Sequence, residues 1–508
     1  MTAKVLMVQG ASSSVGKSLL VAALCRIWAR RGVRVAPFKA QNMSNNAAVC
    51  ADGAEIGRAQ AVQAFAAGVE PSADMNPLLL KPEADARSQV ILLGRAWATL
   101  PAGTFYRHKS ELWPQVTAAL DRLRAAYELV IIEGAGSAAE LNLKAGDLVN
   151  MAVARYAQAP VLLVGDIDRG GIFAQLLGTL WLLEPEEQAL VRGFLVNKFR
   201  GDIELFAEGV RILEQRGGVP VLGVIPYLRD LGIPEEDAVA IEQLRATHRV
   251  KEVRGDVTRE VDIAVIALPR ISNFDDFDPL AAEPGVHVRY VSSTAELGRP
   301  DAVILPGSKS TIADLNWLRE RGLAEAIRQL ADQGAAIVGI CGGYQMLGNV
   351  IRDPLHTEST LDQAPGLGLL RAETVFEGEK DTHRARARIL WGPGWMKNLA
   401  GTTVEGYEIH LGCTHSVRPW LEIIERRGQS AHTPDGAVSR EGQVWGCYLH
   451  GLFENAALRR AWLSSLGWRG APESTPVPDV LAALDRLADQ VEAAVDMARL
   501  EGIVGLPA

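Results

Sequence analysis

Apolar positions in the first half of the chain come in short continuous runs rather than in alternation with polar ones. "KVLMV" at 4–8 leads through a glycine-rich turn into "KSLLVAALCRIWARRG", whose apolar residues recur at helical spacing, and "VRVAPFK" follows. Further runs stand at 129–132 ("LVII"), 160–164 ("PVLLV"), 193–196 ("GFLV") and 221–225 ("VLGVI"), most of them separated by helical segments. That rhythm predicts a doubly wound parallel sheet. Continuous rather than alternating strands are expected where both faces of the sheet are covered. A charged stretch at roughly 235–258 breaks the rhythm, and a second α/β series begins at "VDIAVIAL" (261–268). It continues through "DAVILPGS" and "GAAIVGICGG" and ends near "QVWGCYLHG". The pattern therefore divides the chain into a first domain at 1–235, a linker at 236–258, a second domain at 259–470 and a helical tail at 471–508. The tail opens with the Pro/Ser-rich turn "GAPESTPVPDV".

Length agrees with two domains, since 508 residues exceed what one hydrophobic core usually organises. Charge removes some partners: 52 Lys and Arg against 61 Asp and Glu leave −9, which argues against nucleic acid or an anionic membrane. The 5 cysteines, at 25, 50, 341, 413 and 447, are too scattered for a disulfide framework. "MTAKVLMVQGASSS" has no signal-peptide pattern, and no apolar stretch reaches membrane-spanning length. A reduced, cytoplasmic protein is expected.

"GASSSVGKS", Gly10–Ser18, lies between a predicted strand and a predicted helix, the setting of a phosphate loop. Backbone N–H groups along Gly10, Ser13, Ser14, Val15 and Gly16 can surround phosphates. Lys17 would neutralise their oxygens and Ser18 would reach Mg²⁺. The loop departs from the common spacing, for Ala11 stands where the first glycine is expected and Gly10 comes one residue earlier. Asn197, after the run at 193–196, joins the nucleotide-binding candidates. Glu133 closes the run "LVII" and points into the crevice that ligands use in such sheets, making it a metal candidate; Asp166 and Asp168 occupy a similar strand end. The amide-rich "FKAQNMSNN" offers Lys39, Gln41 and Asn42 as a clamp for substrate or phosphate. In "DGAEIGRAQ", Asp52 and Glu55 are further metal candidates, and Arg58 adds positive charge to the clamp. Together these residues suit phosphoryl transfer from ATP with Mg²⁺.

In the second half, "GICGGYQMLG" places Cys341 at a strand-to-helix turn between glycines. A nucleophile needs that exposure, whereas a packed core thiol does not. N–H groups at Gly342, and at Gly307 in the neighbouring "LPGS", could face an oxyanion. His450 in "GCYLHGLF" is the best of 9 histidines as the base, ahead of His410 and His415. Glu408 and Glu454 are the candidates to orient it. A zinc site from His410, Cys413, Cys447 and His450 is the competing reading, although the spacing only partly resembles zinc motifs. A nucleotide site in one domain and a thiol–imidazole pair in the other together suggest an amidotransferase.

These motifs also carry a resemblance. "GASSSVGKS", "FKAQNMSNNA", "EIGRAQAVQA", "DIDRGG", "LPRISNFDDFDPL", "LPGSKST", "GICGGYQMLG", "GYEIHLG" and "YLHGLF" resemble, in order, those of the cobyric acid synthase family, the glutamine-dependent amidotransferases of cobalamin biosynthesis. The first half is also similar to dethiobiotin synthetase, which shares the longer phosphate loop, and the second to class I glutamine amidotransferase domains. The resemblance implies a P-loop, dethiobiotin-synthetase-like parallel sheet joined to an amidotransferase-like α/β domain. It implies Cys341 as glutaminase nucleophile and His450 as its base. It implies L-glutamine, ATP and Mg²⁺ acting with adenosyl-cobyrinic acid a,c-diamide, amidated at positions b, d, e and g. The more familiar amidotransferases carry His-x-Glu, but here Leu452 stands at the glutamate position. The rival readings are cobyrinic acid a,c-diamide synthase, a cell-wall amidotransferase, and a P-loop switch ATPase with an inactive glutaminase-like module.

Overall fold

The computed structural model describes residues 2–83, 87–101, 103–228, 231–233, 260–470 and 480–506. The predicted linker at 236–258 and most of the Pro/Ser-rich turn at 471–479 lie outside the described residues.

The apolar runs of the first half form six parallel strands: β1 (Lys4–Gly10), β2 (Val35–Phe38), β3 (Leu129–Glu133), β4 (Val161–Asp166), β5 (Val191–Phe199) and β6 (Val221–Pro226). Their order across the sheet is β6-β5-β4-β1-β3-β2. Separate apolar cores cover its two faces, which is why the strands are apolar throughout. Helix α1 (Lys17–Arg30) follows β1, and α2 (Arg58–Ala66) starts directly after a short strand at Glu55–Gly57.

The second series forms β7 (Val261–Ile266), β8 (Val286–Val291), β9 (Ala302–Leu305) and β10 (Ala336–Ile340), with the short helix α3 (Gly342–Leu347) after β10. A further sheet, which the apolar runs did not announce, is built on the antiparallel hairpin of β11 (Ala372–Ile389) and β12 (Thr403–Ser416). The chain then returns to the parallel sheet with β13 (Ala437–Val438) and β14 (Val444–Cys447), giving the order β8-β7-β9-β10-β14-β13. Only the edge strand β13 runs antiparallel.

The tail helix α4 (Val480–Ala494) goes back to the first domain. Its apolar stripe, Ala483, Leu484, Leu487, Ala488 and Val491, is buried in the same core as α1. Arg26 pairs with Asp485 at 2.7 and 3.0 Å, and Arg30 with Asp489 at 2.6 Å. The two domains meet through a small apolar cluster of Ala47, Val49, Leu79, Ile91 and Ile409 and through polar contacts. Asn273 accepts from the Ala47 N–H (3.2 Å), Asn46 accepts from the Phe274 N–H (3.3 Å), and Lys309 pairs with Glu83 (2.8 Å). Glu55 lies buried between Lys81 of its own domain and Lys380 of β11. Among the described residues, no helix is long and apolar enough to cross a membrane.

Candidate active sites

The loop between β1 and α1 supplies the first site. Gly10 ends β1, and the chain turns through Ser14 (φ 56°) and Gly16 (φ 97°) before α1 begins at Lys17. At Gly16 any side chain would both strain the backbone and collide with Asn197. Asn197 braces the loop from β5 by donating to the Val15 carbonyl at 2.7 Å. Lys17 Nζ donates to the carbonyls of Gly136 (2.9 Å) and Ser12 (3.2 Å) at the mouth of the loop. Lys198 donates to the Ser14 carbonyl at 2.7 Å while pairing with Asp166 at 3.0 Å, so Asp166 acts on the loop through that lysine. Ser13, Ser14, Gly16, Lys17, Ser18 and Asn197 border a cavity of about 810 Å³, and Lys39, Gln41, Asn42 and Glu133 form more of its wall.

Glu133 is buried at the end of β3, where its carboxylate accepts from Ser18 Oγ (2.8 Å), Lys39 Nζ (2.8 Å) and Gln63 Nε2 (2.6 Å). Burial opposes its charge, but Lys39, Gln63 and Ser18 outweigh it and hold the carboxyl below its usual range. A hydroxyl and an anionic oxygen beside a phosphate loop fit a hard cation that takes its remaining ligands from phosphate and water. Among the described residues no group of three or more His, Cys, Asp or Glu could hold a metal by itself.

Three residues expected at this site stand elsewhere. Asp52 is exposed on a turn, where its carboxylate accepts from the Ala54 N–H at 3.0 Å, and it is not on the cavity wall that Glu133 lines. Arg58 turns away from the phosphate loop: Nε lies 2.9 Å from Asp275, and Nη2 donates to Tyr407 Oη at 2.6 Å. Its partners belong to the second domain, so it is no phosphate clamp. Glu55, tied to Lys81 and Lys380, is likewise no metal ligand.

The second site is centred on Cys341, between β10 and α3. Its φ of 51° and ψ of −111° are rarely adopted by non-glycine residues, a strain that a reactive turn holds in place. Gly343 permits this, because a side chain there would run into the Leu305 carbonyl of the adjoining strand. The thiol donates to the Ile409 carbonyl at 3.4 Å and lies close enough to His450 for each to shift the other's charge. His450 Nδ1 donates to Asp276 Oδ2 at 2.6 Å, and Asp276 Oδ1 accepts from the Gly451 N–H at 2.8 Å. The resulting line is thiol, imidazole, carboxylate. Tyr407 stacks on the imidazole at 5.2 Å and 15°. Gly307 lies against the same ring, for a Cβ there would sit 3.1 Å from its Cε1. Cys341 and His450 border a cavity of about 40 Å³.

Electrostatics bias this line toward an ion pair. Burial opposes charge on the imidazole, yet Asp276 and Cys341 outweigh it and push His450 up to about 10. Burial also opposes the thiolate, but His450, with help from His410 and the Gly342 N–H, brings Cys341 below the usual thiol range. The other buried thiols go the opposite way: burial pushes Cys447 up, and its Sγ points to the Leu449 carbonyl.

Neither glutamate expected to orient His450 does so. Glu408 is held by Arg426 at 2.8 and 2.9 Å and lies 3.6 Å from His410. Burial opposes its charge, but these partners keep it at about 2. Glu454 is exposed and makes no ion pair with His450. Asp276 takes the position instead. Its signal was the pair of aspartates in "NFDDFD", but nothing local in the sequence directs one of them to a histidine 174 residues away. His410 stacks on Tyr448 at 3.7 Å, and this arrangement gathers no zinc ligands.

Comparison with known proteins covers both sites. The family model for the CobQ/CobB/MinD/ParA nucleotide binding domain matches residues 6–238, and that for the CobB/CobQ-like glutamine amidotransferase domain matches residues 262–458. The chain is 57% identical to a cobyric acid synthase of Chloroflexus aggregans over 97% of both chains. It is 56% identical to one of Chloroflexus aurantiacus over 99% of this chain and all of that one. It is also 56% identical to one of Roseiflexus castenholzii, over 97% of this chain and 98% of that one.

Proposed function

We propose that this chain, which belongs to the cobyric acid synthase family, releases ammonia from L-glutamine at Cys341 and spends ATP to place it on a corrinoid. The acceptor is adenosyl-cobyrinic acid a,c-diamide, amidated at its b, d, e and g carboxylates to give adenosylcobyric acid. The enzyme is thus a glutamine-hydrolysing carbon–nitrogen ligase. The observation that carries the reading is the presence, in one chain, of an activated thiol line and a phosphate cradle on two joined domains.

At the first centre the Cys341 thiolate attacks the side-chain amide carbon of glutamine. The Gly342 N–H lies beside the reacting sulfur and is placed to donate to the oxyanion. His450, protonated and held by Asp276, gives its proton to the departing nitrogen, which leaves as ammonia. Water then loses a proton to His450 as it attacks the glutamyl thioester, which frees glutamate and restores the thiolate beside a protonated His450.

At the second centre, Lys17 and the loop N–H groups hold the nucleotide's phosphates, and Lys39 is placed to steady the acceptor carboxylate or the oxygens in transfer. A carboxylate oxygen attacks the terminal phosphorus of ATP, giving an acyl phosphate and ADP. Ammonia attacks the acyl carbon and inorganic phosphate leaves. Ser18 and Glu133 would hold Mg²⁺, which when bound would supply charge neutralisation for phosphoryl transfer.

The test follows product mass with time for cobyrinic acid a,c-diamide, ATP, Mg²⁺ and glutamine, beside C341A supplied with ammonium. Stepwise replacement of hydroxyl by amine, lost with glutamine in C341A and restored by ammonium, is the expected result. An unchanged corrinoid mass with folded native enzyme would remove the substrate assignment.

A further inference from the structure

Arg58 belongs by sequence to the nucleotide-binding domain, yet its head group is committed to the thiol centre. It is largely buried, with Nε 2.9 Å from Asp275 and Nη2 donating to Tyr407 Oη at 2.6 Å and to the Ala47 carbonyl at 3.2 Å. Each of the first two partners is one step from His450. Asp275 is the chain neighbour of Asp276, which holds the imidazole at 2.6 Å, and both lie in the single turn Phe274–Phe277. Tyr407 stacks on the same ring and exchanges backbone hydrogen bonds with residue 450 at 2.9 and 3.1 Å. Arg58 therefore grips the carboxylate segment and the stacking face of the imidazole together.

The helix that carries Arg58 continues into the other centre. Gln63, five residues on and about 7.5 Å further along the axis, donates to Glu133 at 2.6 Å and to the Ser18 carbonyl at 3.2 Å. Gln60 accepts from Asn42 at 2.9 Å, and Ala59 and Val62 border the large cavity. Helix α2 has nine residues, too short to absorb a displacement internally. Phosphate and cation would bind beside the Ser18 and Glu133 groups to which Gln63 donates, so filling the site bears on the end of α2. A shift of α2 that follows is delivered to Asp275 and Tyr407 through Arg58.

We propose that Arg58 is a positioning residue for His450 that links glutamine hydrolysis to occupancy of the nucleotide and acceptor site. The inference rests on the function proposed above. Arg58 touches no reacting atom; it acts through Asp275–Asp276 on one side and Tyr407 on the other.

The experiment measures glutamate release at saturating glutamine with and without ATP, Mg²⁺ and cobyrinic acid a,c-diamide, for the native chain, R58K, R58Q, D275N and R58Q/D275N. Ammonium-driven amidation is measured in parallel and reports folding of the first domain. Native glutamate release is expected to rise roughly ten-fold when the other site is filled. R58Q and D275N are expected to lose that rise, with KM for glutamine and ammonium-driven amidation unchanged. R58K is expected to keep part of it. The double variant should be no worse than either single one, because both break the same link. A native-sized rise in R58Q or D275N overturns the proposal, as do additive losses in the double variant. A native enzyme whose glutamate release ignores the other site overturns it as well. Native chain that releases glutamate but fails in ammonium-driven amidation overturns the functional reading itself, and this proposal with it.

Discussion

The phosphate cradle draws Ser13, Ser14, Gly16, Lys17 and Ser18 from one loop bordering a cavity of about 810 Å³, whereas the thiol centre draws Asp276, Cys341 and His450 from three distant segments beside a cavity of about 40 Å³. A large polyanion is met chiefly by backbone N–H groups and one flexible ammonium, which a contiguous turn can supply. Proton transfer along a thiol, an imidazole and a carboxylate needs each side chain in one orientation, which only packing between separate elements can fix. The cradle tolerates local adjustment; the line does not.

That contrast can be broken first by emptying either site of its principal group. C341A is expected to abolish glutamine-dependent amidation while leaving the ammonium-driven reaction. K17A is expected to do the reverse, losing amidation and sparing basal glutamate release. Product mass and glutamate assays on the same samples separate the two. Next in size is D276N, for which glutamate release is expected to fall by roughly 10²- to 10⁴-fold. Its pH profile sharpens the point. Burial lowers and Asp276 raises the affinity of His450 for its proton, the net being about 10. Native activity should persist through neutral pH and decline as pH rises through that value. Without the carboxylate the larger of the two raising partners is gone and only Cys341 remains, so the decline in D276N begins at lower pH. A smaller loss, on the order of ten-fold, is expected for E133Q in ammonium-driven amidation, together with a raised Mg²⁺ requirement seen in a metal titration. Smallest are E454Q and D52N, which remove carboxylates that face neither reaction. Both rates are expected to stay within about two-fold of native.

The parallel sheets were legible because continuous apolar runs such as "LVII" and "AVIL" report burial on two faces, a property local to each strand. The hairpin of β11 and β12 was not, because its polar-rich strands are held by each other and by contacts across the domain border, for instance Lys380 with Glu55. The same division holds at the sites. Cys341 announces itself by its glycines and Glu133 by its strand end. Glu408 and Glu454 were favoured because they lie near histidines along the chain. In space Arg426 claims Glu408, and the ring of His450 turns to a residue far upstream. Arg58 misled for a related reason: its sequence neighbours serve the nucleotide cavity, while its own side chain crosses into the other domain.

The return of α4 to the first sheet bears on how such a chain is made. Leu484, Leu487 and Val491 sit in the core beneath α1, so one face of the first domain stays uncovered until the second has emerged from the ribosome. At about 5–20 residues per second that interval is on the order of 10 to 60 s. The glutaminase half is thus threaded between two pieces of its partner's core. Cutting the chain between its domains would not yield two self-sufficient proteins, and evolution cannot exchange one half without carrying α4 along.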